Sequence, residues 1–165
     1  MADAIDIGLL YSRHHGWLQS WLLGKLGNHG DAADLAHDTY LPLMRSGRLP
    51  AREDQSRAFL VQVAKGLVID LRRRRAIEQS YQEAVSALPP ALAPSPESRA
   101  LILEALTEVD AMLDRLPVKV REAFLLSQLE GLGYREIAQR LSVTVSSVQK
   151  YMMTAIQACY QTVYG

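Results

Sequence analysis

One cysteine, Cys159, is all this sequence contains, so no disulfide can form within the chain. That excludes the stapled small scaffolds of secreted proteins and fits a reducing compartment. Excess charge is missing too, because 18 Lys and Arg are balanced by 18 Asp and Glu. Any case for nucleic-acid binding must therefore rest on local patches rather than on bulk charge. No run approaches the ~20 apolar residues of a membrane span, and no basic-then-apolar signal opens the chain. The expectation is a soluble, cytoplasmic protein. No internal repeat and no sign of a strand-rich domain is present. His14, His15, His29 and His37 lack the Cys/His spacing of a metal site. Asp34 and Asp38 could pass for an acid pair, but no Gly-rich loop, nucleophile or second constellation accompanies them. No enzyme, metal, cofactor or small-molecule substrate is expected.

What the sequence does have is helical periodicity. Leu10, Tyr11, His14, Trp17, Leu18, Trp21 and Leu22 recur at spacings of three and four, one face of an amphipathic helix. Gly27 and Gly30 break it. Asp31 is the expected cap of the next helix, with Ala32, Leu35, Ala36, Tyr40 and Leu43 facing inward, and Pro42 is expected to kink that helix or end it near Leu41. A polar connection follows. Then Phe59, Leu60, Val63, Ala64, Leu67, Val68 and Leu71 mark a third helix, whose far end carries Arg72 to Arg75. The series Ile77, Tyr81, Val85 and Leu88 extends its pattern more weakly.

"LPPALAPSP" is the clearest boundary, since its four prolines forbid regular helix and favour an extended linker. The expected organisation is all-α: two small helical domains, 1–87 and 97–165, joined by a Pro-rich linker at 88–96. Ser95, Pro96 and Glu97 read as N-cap, first helical residue and first-turn acid of a new helix. Its expected buried stripe is Ile102, Ala105, Leu106, Val109, Met112, Leu113 and Leu116. After Pro117 comes a helix through Val120, Phe124, Leu125 and Leu129, ended by Gly131.

"YREIAQRLSVTVSSVQKYM" then packs two short helical patterns around a three-residue break. Thr144 can cap the second by accepting from the backbone N–H of Ser146 or Ser147. Val145, Val148, Met152, Ile156 and Cys159 fall on one face, which leaves Ser146, Ser147, Gln149, Lys150 and Thr154 outward. This is a helix-turn-helix pattern. Short hydroxyls near a helix start meet phosphate, and longer polar side chains further on reach base edges in the major groove. The same periodicity would serve a plain helical hairpin. From Tyr134 onward Arg135, Arg140 and Lys150 oppose Glu136 alone, so the patch is weakly basic and needs help from a larger assembly to hold DNA.

Read in order, the segments resemble the bacterial sigma factors of the extracytoplasmic-function (ECF) group. "DAADLAHDTYLPLM" resembles that family's polymerase-binding helix, "RAFLVQVAKGLVIDLRRRRA" its promoter-melting helix, and "REAFLLSQLEGLGYREIAQRLSVTVSSVQKYM" its C-terminal promoter-reading domain. "APSPESR", "REAFLLSQLEGL" and "VSSVQKYMMTAIQAC" look most like the FecI-like subgroup, which serves iron-siderophore uptake. The resemblance implies a chain that directs core RNA polymerase to specific promoters and aids their opening. It places Asp34, Leu35, Asp38, Thr39 and Leu41 on the surface meeting the polymerase. The loop from Leu49 to Arg57 would hold an unstacked base of the −10 element. Arg57, Phe59, Lys65, Arg72, Arg73, Arg74 and Arg75 form the expected −10 contact set; Ser146, Ser147, Gln149, Lys150 and Thr154 would read the −35 element. A membrane-spanning regulator, anti-sigma in character, is the further implied partner beside polymerase and promoter DNA. The alternatives are a stand-alone helix-turn-helix regulator with an N-terminal interaction domain, and a purely protein-binding helical adaptor.

Overall fold

The computed structural model describes residues 5–165. All regular secondary structure among them is helical: α1 (Ile7–Leu26), α2 (His29–Ser46), α3 (Ser56–Ser86), α4 (Pro96–Arg115), α5 (Val118–Gln128), α6 (Tyr134–Leu141) and α7 (Val145–Tyr164), with short 3-10 turns at Glu53–Gln55 and Pro90–Leu92. The chain divides by packing into two compact units, Met1–Ala76 and Ile77–Gly165. The division falls inside α3, ahead of the proline-rich stretch. Within that stretch Leu92 and Ala93 N–H close a short 3-10 turn onto the Pro89 and Pro90 carbonyls, at 2.9 and 3.2 Å.

In the first unit the core is the inward stripe of three helices: Leu10, Leu18 and Leu22 from α1, Ala32, Leu35, Ala36, Tyr40 and Leu43 from α2, and Leu60, Ala64 and Val68 from α3. Trp17, Trp21 and Phe59 pack against its edge. Two local expectations need correction. The cap of α2 is Asn28, whose side chain accepts from the Asp31 N–H at 2.9 Å; Asp31 itself lies in the first turn. Pro42 does not end α2. A proline inside a helix forfeits one backbone bond, but Leu43 is buried and Gly47, with φ of 66°, closes the helix by donating to the Leu43 carbonyl. Burial on the far side of the proline outweighs the lost bond.

The second unit buries less. Ala123, Ile137, Ala138, Val148 and Met152 form one cluster of α5, α6 and α7, and Leu116, Val120 and Ala155 a second one beside it. The helix α5 ends at its C-cap Leu129, whose N–H donates to the Leu125 carbonyl at 2.9 Å, and Gly131 follows with φ of 67°, as expected; the Leu129 side chain stands 79% exposed. The predicted stripe of α4 is only half covered. Met112 and Leu116 are buried, whereas Ile102, Ala105, Leu106 and Val109 remain exposed. Met112 lies beside Cys159, and Leu116 beside Ala155, so α4 and α7 run antiparallel and α7 covers only the C-terminal turns of α4.

These burials predict unequal costs. Leu60→Ala, at a fully buried site, should destabilise by about 2–5 kcal/mol. Leu106→Ala, on the uncovered half of α4, should stay within about 0.5–1 kcal/mol of the parent chain. Urea unfolding followed by circular dichroism measures both.

Candidate nucleic-acid and polymerase interfaces

The outward face of α7 depends on the turn before it. Ser142 takes the left-handed conformation, φ 55°, and is the one non-glycine residue with positive φ among those described. Its N–H and that of Val143 return to the carbonyls of Gln139 and Ala138, at 3.3 and 2.9 Å. That is a Schellman closure, which normally favours glycine at the left-handed position. Val143 packs against the core cluster. Thr144 then caps α7, its Oγ1 accepting from the Ser147 N–H at 3.1 Å. Three residues therefore end one helix, anchor the chain and start the next. Gly133 starts α6 without any side-chain cap.

Beyond the turn, Val148, Met152 and Ala155 are buried. Val145 and Ile156, expected on the packing face, are 36% and 56% exposed, because Ala155 rather than Ile156 meets Leu116 and Val120. Ser146, Gln149, Lys150 and Thr154 are exposed as expected, in line with Met153 and Gln157. Two of the five expected readers are partly committed. Ser147 is half-buried, with its hydroxyl 3.0 Å from that of Thr144, and the Thr154 hydroxyl donates to the Lys150 carbonyl at 3.1 Å. Ser146, Gln149 and Lys150 have side chains without intramolecular polar partners among the described residues. Met153, 64% exposed in the same row, was missed by a reading that looked only for polar groups. An open groove of about 430 Å³ between α5 and α6, walled by Leu125, Leu126, Leu129 and Leu141 and rimmed by Glu122, Glu130 and Arg140, was also unforeseen.

In the first unit the arginine run is partly structural. Arg72 donates to the Lys25 carbonyl at 3.0 Å, at the C-terminus of α1, where a cation is favoured. Arg75 forms an ion pair with Asp31 at 2.8 Å, in the first turn of α2. Arg73 pairs with Asp70 at 3.3 Å. Arg57 stacks over the Trp17 ring, 4.7 Å from its centroid. Phe59 is half-buried, with its side chain packed against the core. Lys65 and Arg74 are exposed and have no partner among the described residues. Beside them Ile69 stands 56% exposed.

On α2, Asp34, Asp38 and Leu41 are exposed in one line, with Met44 65% exposed alongside. Leu35 and Thr39 were expected on that surface and are not there. Leu35 is 8% and Thr39 0% exposed, and the Thr39 hydroxyl donates to the Leu35 carbonyl at 2.7 Å. Both serve the core. Next to them Tyr11, His15, His37 and Tyr40 form an aromatic cluster, with the Tyr11 and His15 rings stacked at 4.3 Å. Burial and the neighbouring Tyr11 push the Tyr40 hydroxyl up to about 12. Burial and His37 hold His15 below the usual histidine range.

Comparison with known proteins decides the family. The model described as "Sigma-70 region 2" matches residues 10–77, and that described as "Sigma-70, region 4" matches residues 106–159. The ferric citrate uptake sigma factor FecI of Escherichia coli is 49% identical over 158 residues, covering 94% of this chain and 91% of that protein. The chain belongs to the ECF sigma factors of the FecI type. Two mycobacterial relatives are more distant: the ECF sigma factor SigE of Mycolicibacterium smegmatis, 30% identical over 74% of this sigma factor and 48% of its own length, and SigD of Mycobacterium bovis, 27% identical over 76% and 60%. A chain of the RsbN–BldN complex, 19% identical, superposes with a TM-score of 0.33 and covers 94% of this chain and 90% of its own. No described helix of this sigma factor is long and apolar enough to cross a membrane.

Two predictions follow from the local geometry. Ser142→Gly should stabilise the second unit by about 1 kcal/mol, by relieving the left-handed strain. Thr144→Ala should cost about 1 kcal/mol through the lost cap; thermal melting of each variant checks this. The second concerns pH. The Arg75 hydrogen bond, with its charge, holds the Asp31 carboxyl below the usual carboxylate range. A depressed folded pKa contributes stability that is fully present above the unfolded value and is lost as pH falls through the folded one. The melting temperature of the parent chain should exceed that of Asp31→Asn near neutral pH, and the difference should shrink as pH falls below the usual carboxylate range and through the depressed Asp31 value.

Proposed function

We propose that this sigma factor directs core RNA polymerase to the promoters of genes for uptake of an iron complex, and that its two modules divide the work. The 49% identity to FecI, over 94% of this chain, is the observation that carries the reading. The first module, within residues 1–87, binds polymerase through Asp34, Asp38 and Leu41 and holds the opened −10 element. There the loop from Leu49 to Arg57 takes an unstacked base, while Lys65 and Arg74 hold backbone phosphate. Capturing a base out of the stack costs a few kcal/mol, so a shaped loop and nearby cations suit the task. The module within 97–165 reads the −35 element through Ser146, Gln149 and Lys150. Gln can pair with adenine and Lys can donate to guanine or to phosphate. Neither patch carries enough free charge to bind tightly alone; held together on polymerase, each raises the effective concentration of the other. The proposed setting is the cytoplasm, and the proposed regulator is a membrane-spanning protein that relays the iron signal. The proposed role is non-catalytic.

Gln149→Ala should cost about 1–3 kcal/mol at cognate promoters and relax discrimination at one base of the −35 element. Run-off transcription with core polymerase on a promoter-variant library measures this. Unchanged discrimination at every −35 position would remove Gln149 from the reading set. Tight, sequence-specific binding to duplex DNA without polymerase would instead favour a stand-alone regulator.

A further inference from the structure

The loop between α2 and α3 has little apolar burial to shape it. Pro50 is buried and Leu49 half-buried, while residues 51–55 are all exposed. Polar contacts must fix its conformation; beside the exposed Arg52–Asp54 pair at 2.9 Å and the Gln55 N–H bond to the Arg52 carbonyl, those that reach other elements converge on one carboxylate. Glu53 Oε1 lies 2.8 Å from His14 Nε2 on α1. Its Oε2 accepts from the Ser56 hydroxyl at 3.4 Å and faces Arg13 Nη1 at 3.7 Å. Ser56 is fully buried at the first position of α3. One side chain of the loop thus ties it to α1 and to the start of α3.

The other partner is unusual for its place. His14 is 8% exposed and shares its helix face with Leu10, Leu18 and Leu22. Among the described residues its buried Nδ1 has no partner, and Glu53 supplies the only hydrogen bond the ring makes. A polar ring on an apolar stripe costs free energy that a leucine would not. Core packing therefore does not explain a histidine there; the reach to Glu53 does. One turn further along α1, Trp17 receives the Arg57 guanidinium, at the C-terminal end of the loop. Arg13, His14 and Trp17 hold the segment at its middle and at its C-terminal end and leave Ala51, Arg52 and Gln55 exposed.

We propose that Glu53, held by His14, is a positioning residue that sets the shape in which the 49–57 loop accepts a displaced promoter base, and so sets −10 selectivity without touching DNA itself. The proposal rests on the reading of that loop as the −10 contact. Gln55, with a donor and an acceptor on one amide, is the exposed side chain best suited to meet a base edge.

The test uses the full chain with core polymerase, on a promoter and its single-base −10 variants, with permanganate reactivity reporting opening. Glu53→Ala and His14→Leu should each cut the preference for the parent −10 sequence by about tenfold, while −35 discrimination and polymerase affinity hold. His14→Gln, which returns a donor near the Nε2 position, should recover most of the loss. His14→Leu should melt no lower than the parent chain, so a lost preference could not come from unfolding. If Glu53→Ala and His14→Leu keep full −10 preference, whatever their melting temperatures, the positioning role is overturned. Gln55→Ala separates the two levels. A shift in −10 preference in Gln55→Ala alone would leave the loop as reader and refute Glu53 as its positioner. No shift in any of the three variants would overturn the loop reading and the positioning role together.

Discussion

Burial of Val148, Met152 and Ala155 on one side of α7 fixes what the other side presents. A helix repeats every 3.6 residues, so once these three are held against α5 and α6, Ser146, Gln149, Lys150 and Met153 have no choice but to form the outward row. The turn at Ser142–Thr144 sets where that row begins. It ends α6 with a strained residue and starts α7 with a capped one, with no spare residue to let the register slip. The small core makes this arrangement economical and also fragile: a modest loss of packing in the second unit would rotate or fray the surface that the proposed reading needs.

The first unit solves a different problem with the same means. Its three helices are held by a larger apolar core, yet the ends of α1 and α2 are also stitched to α3 by charge. Arg72 completes the C-terminus of α1, and Arg75 meets Asp31 at the N-terminus of α2. Each is an exposed contact of modest strength alone. Both sit where a helix end leaves backbone groups unmatched, and there a charge contributes more than it would mid-helix. The arginine run therefore has two aspects on one element. Arg72 and Arg75 brace the fold, while Arg74 and Lys65 are left to face outward.

Much of this was legible in the sequence. The helical order, the Ser95 start of α4, the Thr144 cap and the outward row of α7 all follow from spacing and capping chemistry, which act within a few residues. What the sequence hid was tertiary. Periodicity gave α4 one long stripe, but only packing could show that α7 covers just its C-terminal turns and leaves Ile102, Leu106 and Val109 uncovered. The acidic line on α2 was legible, whereas the resemblance alone could not tell that Leu35 and Thr39 point inward between its exposed members. Asp31 looked like a cap because it follows a glycine; Asn28, three residues earlier, does the capping, and Asp31 serves Arg75 instead. His14 and Glu53 are 39 residues apart, and no local pattern announces such a pair.

These divisions bear on how binding would respond to salt. A phosphate contact made by a free cation releases a counterion and weakens as salt rises. An arginine already paired within the protein must first give up that partner, so its net gain on meeting phosphate is smaller. Arg73 and Arg75 are of that kind, and Arg57 trades a tryptophan face rather than water. Counting the Arg72–Arg75 run as four phosphate contacts would therefore overstate the salt slope; on the proposed reading Lys65 and Arg74 would set its scale in this unit, as Lys150 would in the other. On the proposed reading, such thin electrostatics would leave DNA binding weak without polymerase and would put selectivity onto shape: the outward row of α7 and the loop that Glu53 holds against α1.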